Sequence, residues 1–117
     1  MLDEIDAFVD CHDLDCEIDE AFARQLYLDP SPLLDDGARL VYDTKRRRHV
    51  LHDVEPGSLA HALGLRTGDV LEAIDGTTIF DLDSALQTYA RLADADVITV
   101  EVKRGTRWLT FTYTFVR

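Results

Sequence analysis

The chain has 117 residues, 46% hydrophobic and 30% charged. That composition fits one soluble globular domain and excludes a disordered chain. Its 23 acids outnumber 12 bases for a net charge of −11, which argues against nucleic-acid binding. No apolar run reaches the roughly 18–20 residues that span a bilayer, and no stretch joins the charged start and apolar middle of an export signal.

The charge is unevenly placed. Asp3, Glu4, Asp6, Asp10, Asp13, Asp15, Glu17, Asp19 and Glu20 are nine acids with no Lys or Arg among residues 1–20. That leaves 14 acids against 12 bases in the rest, with the bases clustered as Lys45-Arg46-Arg47-Arg48. The chain thus divides into an acidic N-terminal arm, residues 1–37, and a nearly neutral body, residues 38–117. An acidic stretch of this kind reads as solvated and weakly ordered. The sharper alternative is that it docks on a basic partner, or on the chain's own loop at 45–48. Cys11 and Cys16 both lie in the arm. A tight hairpin would bring them within disulfide range, while free thiols remain open. His12 lies between them, yet no second ligand pair of a zinc site is present, so no metal is expected.

Asp19 is placed to cap a helix over about 19–28, with Phe22, Ala23 and Leu26 on one face. Asp29-Pro30-Ser31-Pro32 ends it. Leu40-Val41-Tyr42 reads as a short strand, followed by a loop at 43–47 and a second strand over 48–54. Pro56-Gly57-Ser58 turns into a short helix over 59–63, capped by Ser58. Residues 70–74 form a strand that places Leu71 and Ile74 in the core, ended by the Asp75-Gly76 turn. Asp81 caps a longer helix over 81–93 with Leu82, Ala85, Leu86, Tyr89, Leu92 and Ala93 at amphipathic spacing.

The last twenty residues alternate with period two. Ile98, Val100 and Val102, then Leu109, Phe111, Tyr113 and Phe115, face one way, and threonines face the other. With a turn at Arg104-Gly105, this predicts a half-buried antiparallel hairpin. Trp108 falls on the threonine face, either exposed or covering the arm or an open barrel end.

Residues 56–76 carry a joint pattern: Pro56-Gly57-Ser58, a small helix, Gly64-Leu65-Arg66-Thr67-Gly68-Asp69, then a strand ending in Asp75-Gly76. This closely resembles the PDZ-domain signature, over about residues 38–116. The resemblance implies an α+β, mainly β fold, a partly open barrel of five or six strands capped by two helices and preceded by the N-terminal helix and arm. Residues 17–22 and Gly37-Ala38-Arg39-Leu40-Val41 add a narrower likeness. They are similar to the segment before the PDZ domain in protein C of the bacterial type II secretion system. Members of that family are inner-membrane proteins with one N-terminal anchor. Their periplasmic part contacts the outer-membrane secretin and is implicated in substrate recruitment. The chain itself has no such anchor, so it reads as an excised periplasmic piece or a stand-alone relative.

The activity implied is recognition without catalysis. An extended peptide would add as a strand between the strand at 48–54 and the helix at 81–93. The residues so assigned are Arg48, His49, Val50, Leu51 and His52 on the strand, and Leu82, Leu86 and Tyr89 on the helix. Arg48-His49 stand where the family's Gly-Phe is expected. That departure leaves Arg48 to meet a ligand carboxylate through its side chain, or the groove to take internal segments, or the groove unused. The partner implied is a secretin periplasmic domain or a secreted substrate, with no nucleic acid, membrane contact or cofactor. A protease-associated or stand-alone periplasmic adaptor is the alternative. No nucleophile or phosphate-loop motif occurs. Ser58 and Ser84 fall at helix caps, and His49 and His52 project to opposite faces of one strand.

Overall fold

The structure is a computed structural model that describes residues 8–28, 37–79, 87–88 and 95–116. In chain order the elements are β1 (Val9–His12), β2 (Asp15–Asp19), α1 (Glu20–Leu28), β3 (Arg39–Asp43), β4 (Arg48–His52), α2 (Leu59–Ala62), β5 (Val70–Ile74), β6 (Thr77–Thr78), β7 (Val97–Arg104) and β8 (Arg107–Val116). The strands form one open sheet in the order β1-β2-β8-β7-β5-β4-β3, with β6 beside β5. Six strands from β3 onward match the expected body, and the fold is α+β. Of the helix expected over 81–93, only Gln87 and Thr88 are described, and both are helical.

The β7–β8 hairpin follows its alternation. Eight residue pairs run from Val97↔Thr114 to Arg104↔Arg107. Leu109, Phe111 and Tyr113 are buried, as are Ile98 and Val102, while Trp108 on the other face is 60% exposed.

The arm departs from expectation. Residues 9–19 are not a solvated tail. They form a two-stranded hairpin whose β2 pairs in parallel with β8, from Asp15↔Thr112 to Asp19↔Val116. The cause is a second period-two pattern. Val9, Cys16 and Ile18 are buried, whereas Asp10, Asp15 and Glu17 are exposed. The three buried residues join Leu59, Val102, Leu109, Phe111 and Tyr113 in one core. Each buried aliphatic side chain contributes roughly 1.5–3 kcal/mol, so the hairpin's inward face holds it against β8. Residues 9–19 do not pair with the strands beside the loop at 45–48, since β1 and β2 lie at the opposite end of the sheet order from β3 and β4.

Cys11 and Cys16 face each other across this hairpin with Cα atoms 4.0 Å apart and are joined by a disulfide. The two-residue loop Asp13-Leu14 makes that approach possible, with Asp13 in the left-handed region at φ 57°. The Sγ of Cys11 lies 3.3 Å from the Ala62 carbonyl oxygen, so the bridge sits against the end of α2. At the start of α1, the Phe22 N–H donates to Asp19 Oδ1 at 2.9 Å. The Phe22 ring stacks on Phe8 at 4.7 Å.

The Pro-Gly-Ser to Gly-Asp motif builds the joint between α2 and β5. The His61 N–H donates to Ser58 Oγ at 3.2 Å, capping α2. Gly64 follows at φ 91°, and a Cβ there would lie 2.7 Å from Phe111 Cε1. Both the backbone sign and the space therefore require glycine. Asp69 is 2% exposed. It accepts from Arg104 Nε and Nη2 at 2.7 Å each and from the Arg66 N–H at 2.9 Å. The second Nη2 contact of Arg104, to the Gly64 carbonyl at 2.9 Å, ties β7 to the α2 turn. Tyr113 donates its hydroxyl to the Leu63 carbonyl at 2.8 Å.

Along β5 the buried residues are Val70 and Ala73, not the expected Leu71 and Ile74, which are half-buried. The register against β7 shifts between Leu71 and Ala73. Across that bulge Leu71 and Ile74 still lie opposite Val102 and Val100 of the core-facing side of β7, while Val70 and Ala73 lie opposite Lys103 and Glu101 and are covered on the other face.

Candidate functional site

Strand addition needs an edge whose backbone groups are unspent. The sequence places that edge on β4. β4 lies between two neighbours. All five of its residues pair with β3, from Arg39↔His52 to Asp43↔Arg48. On its other side His49 and Val50 pair with Leu71 and Val70. Leu51 also bonds through both backbone groups to the turn before β5, donating to Asp69 O at 2.9 Å and accepting from Gly68 N at 2.8 Å. An incoming segment has no place there.

β3 is the open edge. Among the described residues it pairs with β4 alone and ends the sheet order. It carries three consecutive exposed apolar residues, Leu40 at 54%, Val41 at 40% and Tyr42 at 41%. Soluble proteins usually blunt such an edge with charge, proline or a covering element, so an apolar open edge marks a docking surface. Cross-strand partners set its shape. Leu40 lies opposite buried Leu51, and Val41 opposite buried Val50. Tyr42 meets the His49 ring edge-on at 5.2 Å. His49 Nδ1 is buried without a hydrogen-bond partner among the described residues.

Charged groups frame both ends of β3. At the start, Arg39 Nη2 pairs with Asp53 Oδ2 at 2.8 Å. At the end, Asp43 folds the basic loop back on itself. Its Oδ1 accepts from the N–H groups of Lys45 at 2.9 Å and Arg46 at 3.2 Å, and its carbonyl accepts from the Arg47 N–H at 2.8 Å. These amides, chiefly that of Arg46, hold the Asp43 carboxyl below its usual range. Arg47 closes the turn at φ 55°.

The other residues singled out by sequence fall as follows. Arg48 points away from β3, its Nε donating to Glu72 Oε1 at 3.0 Å, so a carboxylate of the chain itself already engages it. Val50 and Leu51 are buried. Leu82, Leu86 and Tyr89 lie outside the described residues. The signal for β3 as an exposed strand was present in Leu40-Val41-Tyr42, a run apolar at both parities. Such a run reads equally as a strand covered on both faces.

Comparison with known proteins places this arrangement. Residues 50–104 match the family model of the PDZ domain. The PDZ domain of EpsC from Vibrio cholerae, residues 204–305, has a TM-score of 0.58 at 16% identity, covering 81% of this chain and 92% of that one. The shorter fragment, residues 219–305, has a TM-score of 0.52 at 17% identity, covering 68% of this chain and 95% of that one. At these identities the likeness is one of fold. No curated protein matches the chain.

Proposed function

We propose that this chain, which carries a PDZ domain, is a non-catalytic protein-interaction module that takes an extended partner segment as an added strand along the open edge of β3. The observation that carries the reading is the exposure of Leu40, Val41 and Tyr42 on a strand with one partner among the described residues. Main-chain hydrogen bonds to β3 would supply affinity, and the apolar side chains on both of its faces would select the segment. In this reading residues 38–117 supply the recognition edge. The hairpin of residues 9–19 braces β8.

The partner is a component of a type II secretion-like system, a secretin periplasmic domain or a secreted substrate. Two observations support this. Residues 17–22 and 37–41 resemble the lead-in to the PDZ domain of protein C, and the fold is like that of the EpsC domain. The Cys11–Cys16 disulfide fits an oxidising compartment such as the periplasm.

The test is a titration with secretin periplasmic domains and with peptides ending in free or blocked carboxylates, against the wild type and Leu40→Lys. Binding that falls about tenfold in Leu40→Lys supports the β3 edge. Equal binding of free and blocked peptides assigns recognition to internal segments. Binding indifferent to Leu40→Lys removes the edge from the mechanism. Absence of binding leaves the protein a scaffold.

A further inference from the structure

The sheet carries a second surface away from the β3 edge. A cleft of about 450 Å3 lies between the loop at 43–48 and the β7–β8 turn, lined by Arg46, Arg48, Gly68, Val70, Glu72, Lys103 and Gly105. A neighbouring hollow of about 340 Å3 shares Arg46 and Arg48 and adds Arg47 and Thr78. Glu72 is the one acid in either lining, and Arg48 already neutralises it at 3.0 Å. Arg46 is held only loosely, its Nε 3.7 Å from Asp43 Oδ2 with the side chain 59% exposed. Lys103 has its ammonium over the ring of Trp108, 5.6 Å from the centroid.

The register carries the cleft to Trp108. Val50 lies opposite Val70, Val70 opposite Lys103, and Lys103 opposite Trp108, so these four share one sheet face. Arg48, two residues before Val50, shares it too. Crossing from β4 to β8 takes three strand spacings, about 14 Å, which is the length of about four extended residues. Val70 is buried at the floor, and Trp108 stands exposed at the end. Exposed tryptophan beside arginine is the composition that dominates binding energy at protein interfaces.

We propose that this face is a second docking site, for an acidic segment of a partner protein that sets an apolar or aromatic residue on Trp108 and its carboxylates on Lys103 and Arg46. Charge complementarity commits the occupant. The cations here are local, whereas four acids of the acidic N-terminal stretch, Asp10, Asp15, Glu17 and Asp19, lie on β1 and β2 at the far end of the sheet order. A carboxylate arriving at the cleft can recruit Arg46 from its long contact with Asp43 and keep the Lys103–Trp108 stack as a platform.

Trp108 is the single tryptophan, so its emission reports occupancy directly. The probe is a ten-residue Asp/Glu peptide with one central Phe. Its controls are the same peptide with Asn/Gln in place of the acids, and inorganic phosphate. The expected result is a saturable emission change with the acidic peptide alone. Affinity should fall about tenfold in Lys103→Glu and in Arg46→Glu, weaken steeply with salt, and stay unchanged in Leu40→Lys. The two charge reversals sit on different elements, so failure of one to fold leaves the other as the test. No response, an equal response to the neutral peptide or to phosphate, or a response lost in Leu40→Lys would each overturn the proposal. So would an emission change that follows the concentration of the protein alone, which would assign the face to a second copy.

Discussion

Arg104 grips Asp69 with two parallel hydrogen bonds of 2.7 Å, and the carboxylate it holds is 2% exposed. A bidentate pair of this kind fixes orientation as well as distance. Here it locks the last residue of β7 to the turn that launches β5. The bond from Asp69 raises the Arg104 guanidinium above its already high range, keeping it charged throughout. Removing one partner leaves the other without its mate in a mostly buried place. Asp69→Asn and Arg104→Gln are each expected to cost about 3 kcal/mol. The double variant should cost clearly less than the sum, because both singles break the same pair. Urea unfolding of the four proteins in the cycle measures this, and strict additivity would refute the coupling.

The α2 turn yields a second expectation. Gly64→Ala must place a methyl group 2.7 Å from Phe111 Cε1 at a backbone φ of 91°. Steric overlap and the left-handed backbone together set the expected loss at about 3 kcal/mol. Gly57→Ala is the control. It shares a positive φ of 89°, but a Cβ there meets nothing within 4 Å. Its cost should be about 1 kcal/mol. Thermal unfolding of the two variants separates backbone strain from overlap.

Reducing the disulfide should loosen one end of the sheet. Cys11 and Cys16 close a short loop, so the chain-entropy contribution is about 2 kcal/mol. Because β2 is the strand that covers β8, the first amides to exchange faster after reduction should be those of β1, β2 and the paired stretch of β8 at 112–116. Uniformly faster exchange across the whole sheet would show that the hairpin is not a separable unit.

Two titrations bracket the pH range. The Asp43 carboxyl is lowered from its ordinary 3.8, so its contribution is present above that value and is lost as pH falls through the lower folded value. Hydrogen exchange at the amides of Lys45 and Arg46 should therefore quicken only below about pH 4. Tyr113 is shifted the other way, raised from 10.0 chiefly by burial. The folded state keeps a proton that the unfolded chain releases, so stability falls as pH rises past 10. In Tyr113→Phe that alkaline fall should shrink, at a cost near neutrality of about 1 kcal/mol for the lost bond to Leu63.

How legible the molecule was depended on how local each feature is. The Pro56 to Gly76 motif was readable because its caps and turns are set by residues within a few positions of one another. The terminal hairpin was readable because aromatic and threonine positions alternate without interruption. In the arm the same alternation was present in Val9, Cys11, Cys16 and Ile18, but the dense acids between them drew the reading toward a solvated tail. On β5, Val70 and Ala73 are more buried than Leu71 and Ile74 although they lie opposite Lys103 and Glu101, and only the partner strands and loops reveal such cover. That β4 is paired on both sides was hidden from the sequence for a related reason. A strand's own residues announce that it is a strand, but not who stands on either side of it. β4 is filled by β3 and β5, and that neighbourhood is a property of the whole chain path.

The acidic hairpin gives the sheet a direction. It ends in β1 on one side and β3 on the other. A foreign strand approaching β1 meets Asp10 and, one strand behind it, Asp15 and Glu17, all exposed. Two copies meeting by their β1 sides repel each other, so stacking of sheets end to end is discouraged where it would start. Among the described residues β3 has no such run of acids along its length, where Leu40, Val41 and Tyr42 are exposed. The exposed acids Asp10, Asp15 and Glu17 thus work as a stopper at the β1 end of the sheet.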